Sequence, residues 1–528
     1  MEMKAYFQFC AIAAKLELLR PRCPLLRRIP SVRNEQTMRV AGRRNLILFL
    51  NCAILAGTCR AADLRNEAGS GSVPFVIEAR ENVSERFPGA PRLQSFAWAQ
   101  WDGKWIFIAG RTSGYHGVGG KEADFPRAFA NTKIWVVDPS GPGPARTFSF
   151  PVSDLPAALG AVKDQWMSSN PLFFQDKDTL YLAGGYGQNA AGDWVTHPIL
   201  SSVDLPSLVA GVIQGRDSFS NSIASVTSPL VQSTGGDLLK LDDGMFYIVG
   251  GHVFTGTYRE FETANEKNTP KVSQTYLGEI RKLSVKRDGH GRLAVSLVER
   301  FRDPEFARRD LNAGFTILPD GHSLGAAAYG GVFTQDQLAF AKPIYWNRGE
   351  APKIDDGFEQ KMSAYACAKL LLFDPDSRTM YTTFFGGISR WTWDYAKSHF
   401  DLAPRKGDKS EPSYFDGLAW IDHITTLIRS PHQTVEAVQP SSRLAAYLGT
   451  NAAFLPIGLK RIRDDADVFD VQPLRGRRVL AGYLYGGIRA FPREFPYLDD
   501  SPLYNAGNVP TMTSDMIIAV YITVPPAN

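Results

Sequence analysis

Three arginines, a tyrosine and a histidine stand at one recurring place in this chain, one to three positions after an apolar run that ends in glycine. Arg111 follows Gly110, Tyr186 follows Gly184-Gly185, and His252 follows Gly250-Gly251. Arg390 and Arg489 follow Gly386-Gly387 and Gly486-Gly487 at three and two positions. A guanidinium offers a planar fork of donors that matches a carboxylate, and an imidazole moves protons near neutral pH. Asn170, Arg309, Asn312 and Tyr365 form a second group, each just ahead of or opening another apolar run. A surface that gathered both groups would suit a carboxylate or a sugar. His252 and His116 are the available bases for catalysis, and spacing pairs no acid with either. The expectation is that Arg111, Arg390 and His252 share one anion site.

Other chemistries find little support. The eight histidines include no pair at H-x-H, H-x-x-x-H or H-E-x-x-H spacing, so no metal site is expected. Asp464, Asp465, Asp467 and Asp470 lack the order of a calcium loop and read as a solvated acidic loop. Tyr365 and Cys367 would share one face of a strand, where a free cysteine reads as core packing rather than as part of a copper-radical site. There is no G-x-S-x-G elbow, phosphate loop or dinucleotide fingerprint. Gly117–Lys121 lacks the Ser/Thr that a phosphate loop needs after its lysine. No cofactor is expected.

The elements that must position these residues repeat. Six apolar runs end in glycine, at Gly110, Gly185, Gly251, Gly331, Gly387 and Gly487. Ahead of most lies another apolar run and an Asp/Gly turn, as in Leu238–Leu241 with Asp242-Asp243-Gly244. Asp and Gly accept the turn conformations that β-branched residues resist. Strand, turn, strand, glycine pair is a propeller repeat. The expected fold is all-β, a six-bladed β-propeller of four-stranded antiparallel blades with long loops. Its inner strands line an axis, and the loops that follow the glycine pairs emerge near that axis on one face. Ala437–Leu448 is the one modest helix candidate, and Met516–Val524 is expected to close the ring.

The glycine doublets, with outer strands that end in Asp as in Val136-Val137-Asp138, resemble kelch repeats. With Ser169–Asp176, Tyr247–His252, Arg308–Asn312 and Tyr365–Ala368, the chain resembles exported bacterial kelch-type proteins similar to the central domain of galactose oxidase. The resemblance covers about residues 95–490. It implies the fold and carries no established activity.

Residues 1–61 hold eleven Lys/Arg against three Asp/Glu, so they contribute +8 to a net charge of +4 and leave the rest at −4. A mildly acidic body argues against a nucleic-acid partner. Met38–Arg44 is a basic n-region, Asn45–Gly57 an apolar h-region, and cleavage is expected near Ala61. The apolar run is short for a membrane span. Residues 1–37 read as an over-extended gene start, 38–61 as a signal peptide, 62–94 as a polar lead-in and 95–528 as one propeller. The product would be periplasmic or secreted, monomeric, and left with Cys367 as its one cysteine. Three readings stay open. The first is a propeller that binds a small acidic or sugar ligand, or another exported protein. The second is a sialate-epimerase-like enzyme acting on an acidic sugar, and the third is a structural cell-envelope protein.

Overall fold

All six apolar runs lie in strands, and each is the second strand of its sheet. The computed structural model describes residues 73–115, 125–258, 272–406, 415–491 and 510–526. The expected gene start, signal peptide, His116 and Gly117–Lys121 lie outside the described residues.

Six sheets follow one plan. The first is Ala97–Trp101, Lys104–Ile108, Lys133–Asp138 and Arg146–Pro151, each strand beside the next and antiparallel to it. The second is Leu172–Asp176, Thr179–Ala183, Ile199–Asp204 and Ala224–Thr227. The third is Asp237–Lys240, Phe246–Val249, Glu279–Arg287 and Leu293–Arg302. The fourth is Asn312–Ile317, Leu324–Tyr329, Ile344–Asn347 and Glu350–Ile354. The fifth starts with Ala368–Asp374, Thr379–Ser389, Ala419–Arg429 and Thr434–Arg443. At its inner edge the hairpin Arg461–Arg463 and Ala466–Asp470 pairs in parallel with the end of Ala368–Asp374. The acidic loop lies on and beside this hairpin, where Arg461 holds Asp467, Arg463 holds Asp465 and Lys460 holds Asp470.

The sixth sheet joins the two ends of the fold. Ala452–Pro456, Arg477–Gly486 and Ile517–Val524 are followed at the outer edge by Val76–Asn82. That outer strand falls within the stretch read as a polar lead-in. Only Ile77 and Ala79 turn inward, so its sequence carries a weak apolar signal. The last strand is paired along both edges and mostly buried on both faces, the second of which its apolar sequence implies.

The glycine pairs stitch neighbouring sheets together. The N–H of Gly110 donates to Ser168 O at 2.8 Å, Gly185 to Ser233 at 2.9 Å and Gly251 to Arg308 at 2.6 Å. Gly331 donates to Ala364 at 2.7 Å, Gly387 to Leu448 at 3.0 Å and Gly487 to Leu93 at 2.8 Å. Each acceptor lies ahead of the first strand of the next sheet, and the last donor returns to the first sheet, so the cycle closes. Glycine is required at this junction. Gly184 sits at φ +65°, and a Cβ there would lie 1.8 Å from Ser233 O.

A second cycle of backbone hydrogen bonds joins residues that immediately precede the first strands. Asn170 donates to Ser95 at 3.0 Å, Gly235 to Asn170 at 3.3 Å and Asp310 to Gly235 at 2.6 Å. Ala366 donates to Asp310 at 2.6 Å, Asn451 to Ala366 at 2.9 Å and Ser95 to Asn451 at 3.4 Å. Ser95, Asn170, Asp310 and Asn451 hold positive φ of 56°, 49°, 50° and 53°, a conformation Asn and Asp tolerate better than most. The ring surrounds the axis and brings Asn170 and Asp310 onto it.

The core is distributed between sheets. Ile106, Ile108, Leu180, Leu182 and Val203 pack the first sheet against the second. Leu370, Leu372, Leu484 and Ile518 pack the fifth against the sixth. A helix over Leu205–Gln214 adds Leu208, Val209 and Val212 to the first of these layers. Asp204 caps it by accepting the Ser207 N–H at 2.9 Å, and Gly215 ends it at φ +65°. The helix expected over Ala437–Leu448 does not form. Thr434–Arg443 is a strand there, because pairing with Ala419–Arg429 outweighs local helix preference. No helix among the described residues is long and apolar enough to cross a membrane.

One buried acid makes stability depend on pH. Glu436 accepts the N–H groups of Lys361 at 2.7 Å and Met362 at 3.0 Å. Burial nevertheless raises its carboxyl to about 7. An unfolded Glu ionises near about 4.3, so the folded chain binds more protons between the two values. Stability is therefore greatest below the unfolded value and falls as pH rises to about 7, by about 3 kcal/mol. Urea melts at pH 5 and pH 8 should show this drop, and Glu436→Gln should abolish it. An equal pH dependence in the variant would assign the slope to other groups.

Candidate functional site

The residue after a glycine pair turns back to pair with the residue ahead of its own sheet's first strand. Arg111 bridges to Gln94, Tyr186 to Ser169, His252 to Thr234 and Val332 to Arg309. Tyr186–Gln188 and His252–Thr255 also belong to an accessory four-stranded sheet with Trp194–Thr196 and Ser273–Tyr276. This accessory sheet fixes Tyr186 and His252 beside the inner ring.

On that side of the ring lies a cavity of ≈ 60 Å³, lined by Asn170, Tyr186, His252, Tyr258, Arg309, Asp310, Tyr115 and Tyr365 among others. Arg309 is its cation. The preceding residue, Arg308, is consumed structurally, donating to Gly330 O at 3.0 Å and to Glu305 Oε2 at 2.9 Å and stacking on Phe340 at 4.7 Å. Adjacent residues of an extended chain face opposite ways, so Arg309 points to the axis. Its guanidinium lies 5.1 Å over Phe333, and one terminal nitrogen is 3.6 Å from Asp310. Its buried Nε has no hydrogen-bond partner among the described residues. Burial opposes the Arg309 charge, yet Asp310, Tyr258, Tyr276 and Tyr365 hold its pKa well above the ordinary guanidinium value.

The groups around Arg309 are mostly neutral. Burial, with Arg309 second, pushes the His252 imidazole well below its usual pKa. Gln274 Nε2 donates to His252 Nδ1 at 2.6 Å, which leaves the ring proton on Nε2. So arranged, His252 gives a hydrogen bond rather than taking a proton. Tyr365 shares its hydroxyl with Tyr115 at 3.3 Å, and burial raises its pKa far above the phenol range. Tyr186 spends its hydroxyl on Gly256 O at 2.6 Å and the Tyr258 N–H at 3.0 Å, so it is a wall and not a free donor. Asp310 is the carboxylate of the cavity, with Asn170 Nδ2 at 3.5 Å. The arrangement can hold a carboxylate on Arg309 and hydroxyls on Asp310, His252 and Asn170.

Of the residues singled out by sequence, Asn170, Tyr186, His252, Arg309 and Tyr365 meet at this cavity, and four others among the described residues lie elsewhere. Arg111 is buried behind it, stacked 4.6 Å over Phe125 and donating to Pro126 O at 3.1 Å, with its pKa lowered by burial to about 10. Arg390 donates to Ala403 O and Gly417 O and so braces its own loop. Arg489 pairs with Asp515 at 2.8 Å and stacks on Phe491. At two and three positions past their pairs, Arg489 and Arg390 leave the inward place to Ile488 and Ile388. Asn312 is a brace, donating to Ser363 O and Tyr365 O while accepting the Cys367 N–H at 2.8 Å. Tyr365 and Cys367 do not share a face. Ala366 enters the ring between them, so Tyr365 lines this cavity while Cys367 lines another and is pushed by burial to about 12.

Asp310, Tyr258 and Tyr115 are among the lining residues that sequence reasoning missed. The signal for Asp310 was its place, since it aligns with Asn170 ahead of an inner strand.

No family model matches the chain, and no curated protein matches it. Among solved structures, one described as "Structure of YjhT" is similar at 10% sequence identity, covering 76% of this chain and 93% of that chain with a TM-score of 0.40. That likeness is too distant to carry an argument about the site. The sheets and their two closed hydrogen-bond cycles carry the fold, which is propeller-like and all-β.

Proposed function

We propose that this chain is an exported, monomeric, six-bladed kelch-type propeller, similar to the central domain of galactose oxidase, that binds a carboxylate at its axis. The ligand is a small acidic sugar or an acidic side chain of a protein partner. One observation carries the reading, the buried Arg309 guanidinium with an unpartnered Nε at a polar cavity on the axis. A buried charge of this kind is costly unless something pairs with it. Asp310 supplies the opposing charge at 3.6 Å from one terminal nitrogen and leaves Nε without a hydrogen bond.

The size of the cavity limits what enters. One water needs about 10–15 Å³ on this measure, so the space admits about four waters or one carboxylate head group. The body of a larger ligand then extends out of the cavity. A second reading, an enzyme acting on the same acidic sugar, is favoured by Asp310, a carboxylate that could accept a proton beside the bound ligand.

Thermal melts with acidic sugars and their neutral counterparts test the binding reading. A ligand at a hundredfold excess over Kd stabilises by about 2.7 kcal/mol, so Tm should rise with the acidic sugars alone. No rise with any carboxylated ligand at millimolar concentration would overturn it.

A further inference from the structure

The ring of six backbone hydrogen bonds separates two cavities. Residues ahead of the ring positions line the one already described, and residues after them line a second of ≈ 130 Å³, which is not sealed. Its walls include Trp98, Phe173, Asp237 and Lys369, from the inner strands of four sheets.

Two opposite charges stand in it without pairing. One oxygen of Asp237 accepts the Ala313 N–H at 2.6 Å, and the carboxylate makes no other hydrogen bond or ion pair among the described residues. Lys369 makes none at all among them. Room opposite its stem comes from Gly314, where a Cβ would lie 3.6 Å from Lys369 Cε. Burial raises the Asp237 carboxyl and Lys369 pulls it back, so each group is within reach of the other's field. Direct contact would neutralise both, and the inner strands that carry them hold them apart. Trp98 and Phe173 pack edge to face at 6.2 Å and supply an apolar wall.

We propose that this second cavity binds a small zwitterion, with its carboxylate on Lys369, its ammonium on Asp237 and its carbon skeleton against Trp98 and Phe173. A cavity of about 150 Å³ accepts a benzene-sized molecule in another protein, so this one suits about six non-hydrogen atoms. Alanine and β-alanine have that size. A ligand with one charge would satisfy one group and leave the other desolvated, which favours the molecule that carries both. The inference does not rest on Arg309 or on the sugar reading.

The test is titration of the full chain carrying Arg309→Lys, which weakens the carboxylate site of the first cavity, with alanine and β-alanine, and with acetate and methylammonium as single-charge probes, by calorimetry and ligand-observed NMR. A zwitterion should bind saturably, and each single-charge probe at least about tenfold more weakly. In that background Lys369→Met and Asp237→Asn should each weaken zwitterion binding by about tenfold or more. Asp237→Asn keeps an acceptor for the Ala313 N–H; should it fail to melt cooperatively, Lys369→Met alone decides. Acetate binding as tightly as alanine, zwitterion binding that survives Lys369→Met, or no binding of either amino acid at 100 mM would each overturn the proposal.

Discussion

Removing residues 514–528 leaves a chain that is insoluble or melts without cooperativity. Ile517–Val524 lies between Arg477–Gly486 and Val76–Asn82, so its loss also strands the outer strand of the sixth sheet. It buries Ile517, Ile518, Val520, Ile522 and Val524, each worth about 1.5–3 kcal/mol. Their sum rivals the whole stability of a typical domain, about 5–15 kcal/mol. The cut would also expose the edge of Arg477–Gly486, an aggregation site in a sheet protein. A soluble truncated chain with one sharp melting transition would show that the ring does not depend on this closure.

Gly184→Ala should cost about 4 kcal/mol, while Gly192→Ala costs about 1–2 kcal/mol. Both glycines hold positive φ, at +65° and +87°, so both substitutions strain the backbone. They differ in surroundings, since a Cβ at Gly192 meets nothing within 4 Å and one at Gly184 meets Ser233 O at 1.8 Å. Relief of that clash moves Ser233 away and breaks the 2.9 Å bond from Gly185 that joins the second sheet to the third. Urea unfolding of the two variants separates the terms. Equal losses would mean that the glycine pairs are there for their conformation and not for the stitching.

The glycine pairs were legible because a repeated demand for positive φ and close approach leaves one residue type. The outer strand Val76–Asn82 was not, since an edge strand needs few inward side chains and this one has Ile77 and Ala79. The helix Leu205–Gln214 had its signals in the letters, with Asp204 to cap it, Pro206 at its start and Gly215 after it. Leu205, Leu208, Val209 and Val212 also follow the i, i+3, i+4, i+7 spacing of a helix face, so this helix was legible, and only its shortness among so many strands obscures it. At the site, position told more than residue type. Arg309, named for its place ahead of an inner strand, is in the cavity, while Arg390 and Arg489, named for following a glycine pair, brace loops. Spacing from a turn cannot say which way a side chain faces, and a shift of one residue reverses it. In the fold, Glu305, Gly330 and Phe340 engage Arg308 and leave the axis to Arg309.

The central claim is that Arg309 holds a carboxylate on the axis, and titration calorimetry of an acidic sugar against three forms of the protein tests it most directly. Wild type should bind with a defined Kd. Arg309→Lys, which keeps the charge and loses the fork, should bind more weakly by about 1–3 kcal/mol, or about 5- to 150-fold. Arg111→Ala should bind as wild type does and melt at a lower temperature, because Arg111 is packed over Phe125 away from the ligand. Binding undiminished in Arg309→Lys and lost in Arg111→Ala would contradict the account and move the site off the axis.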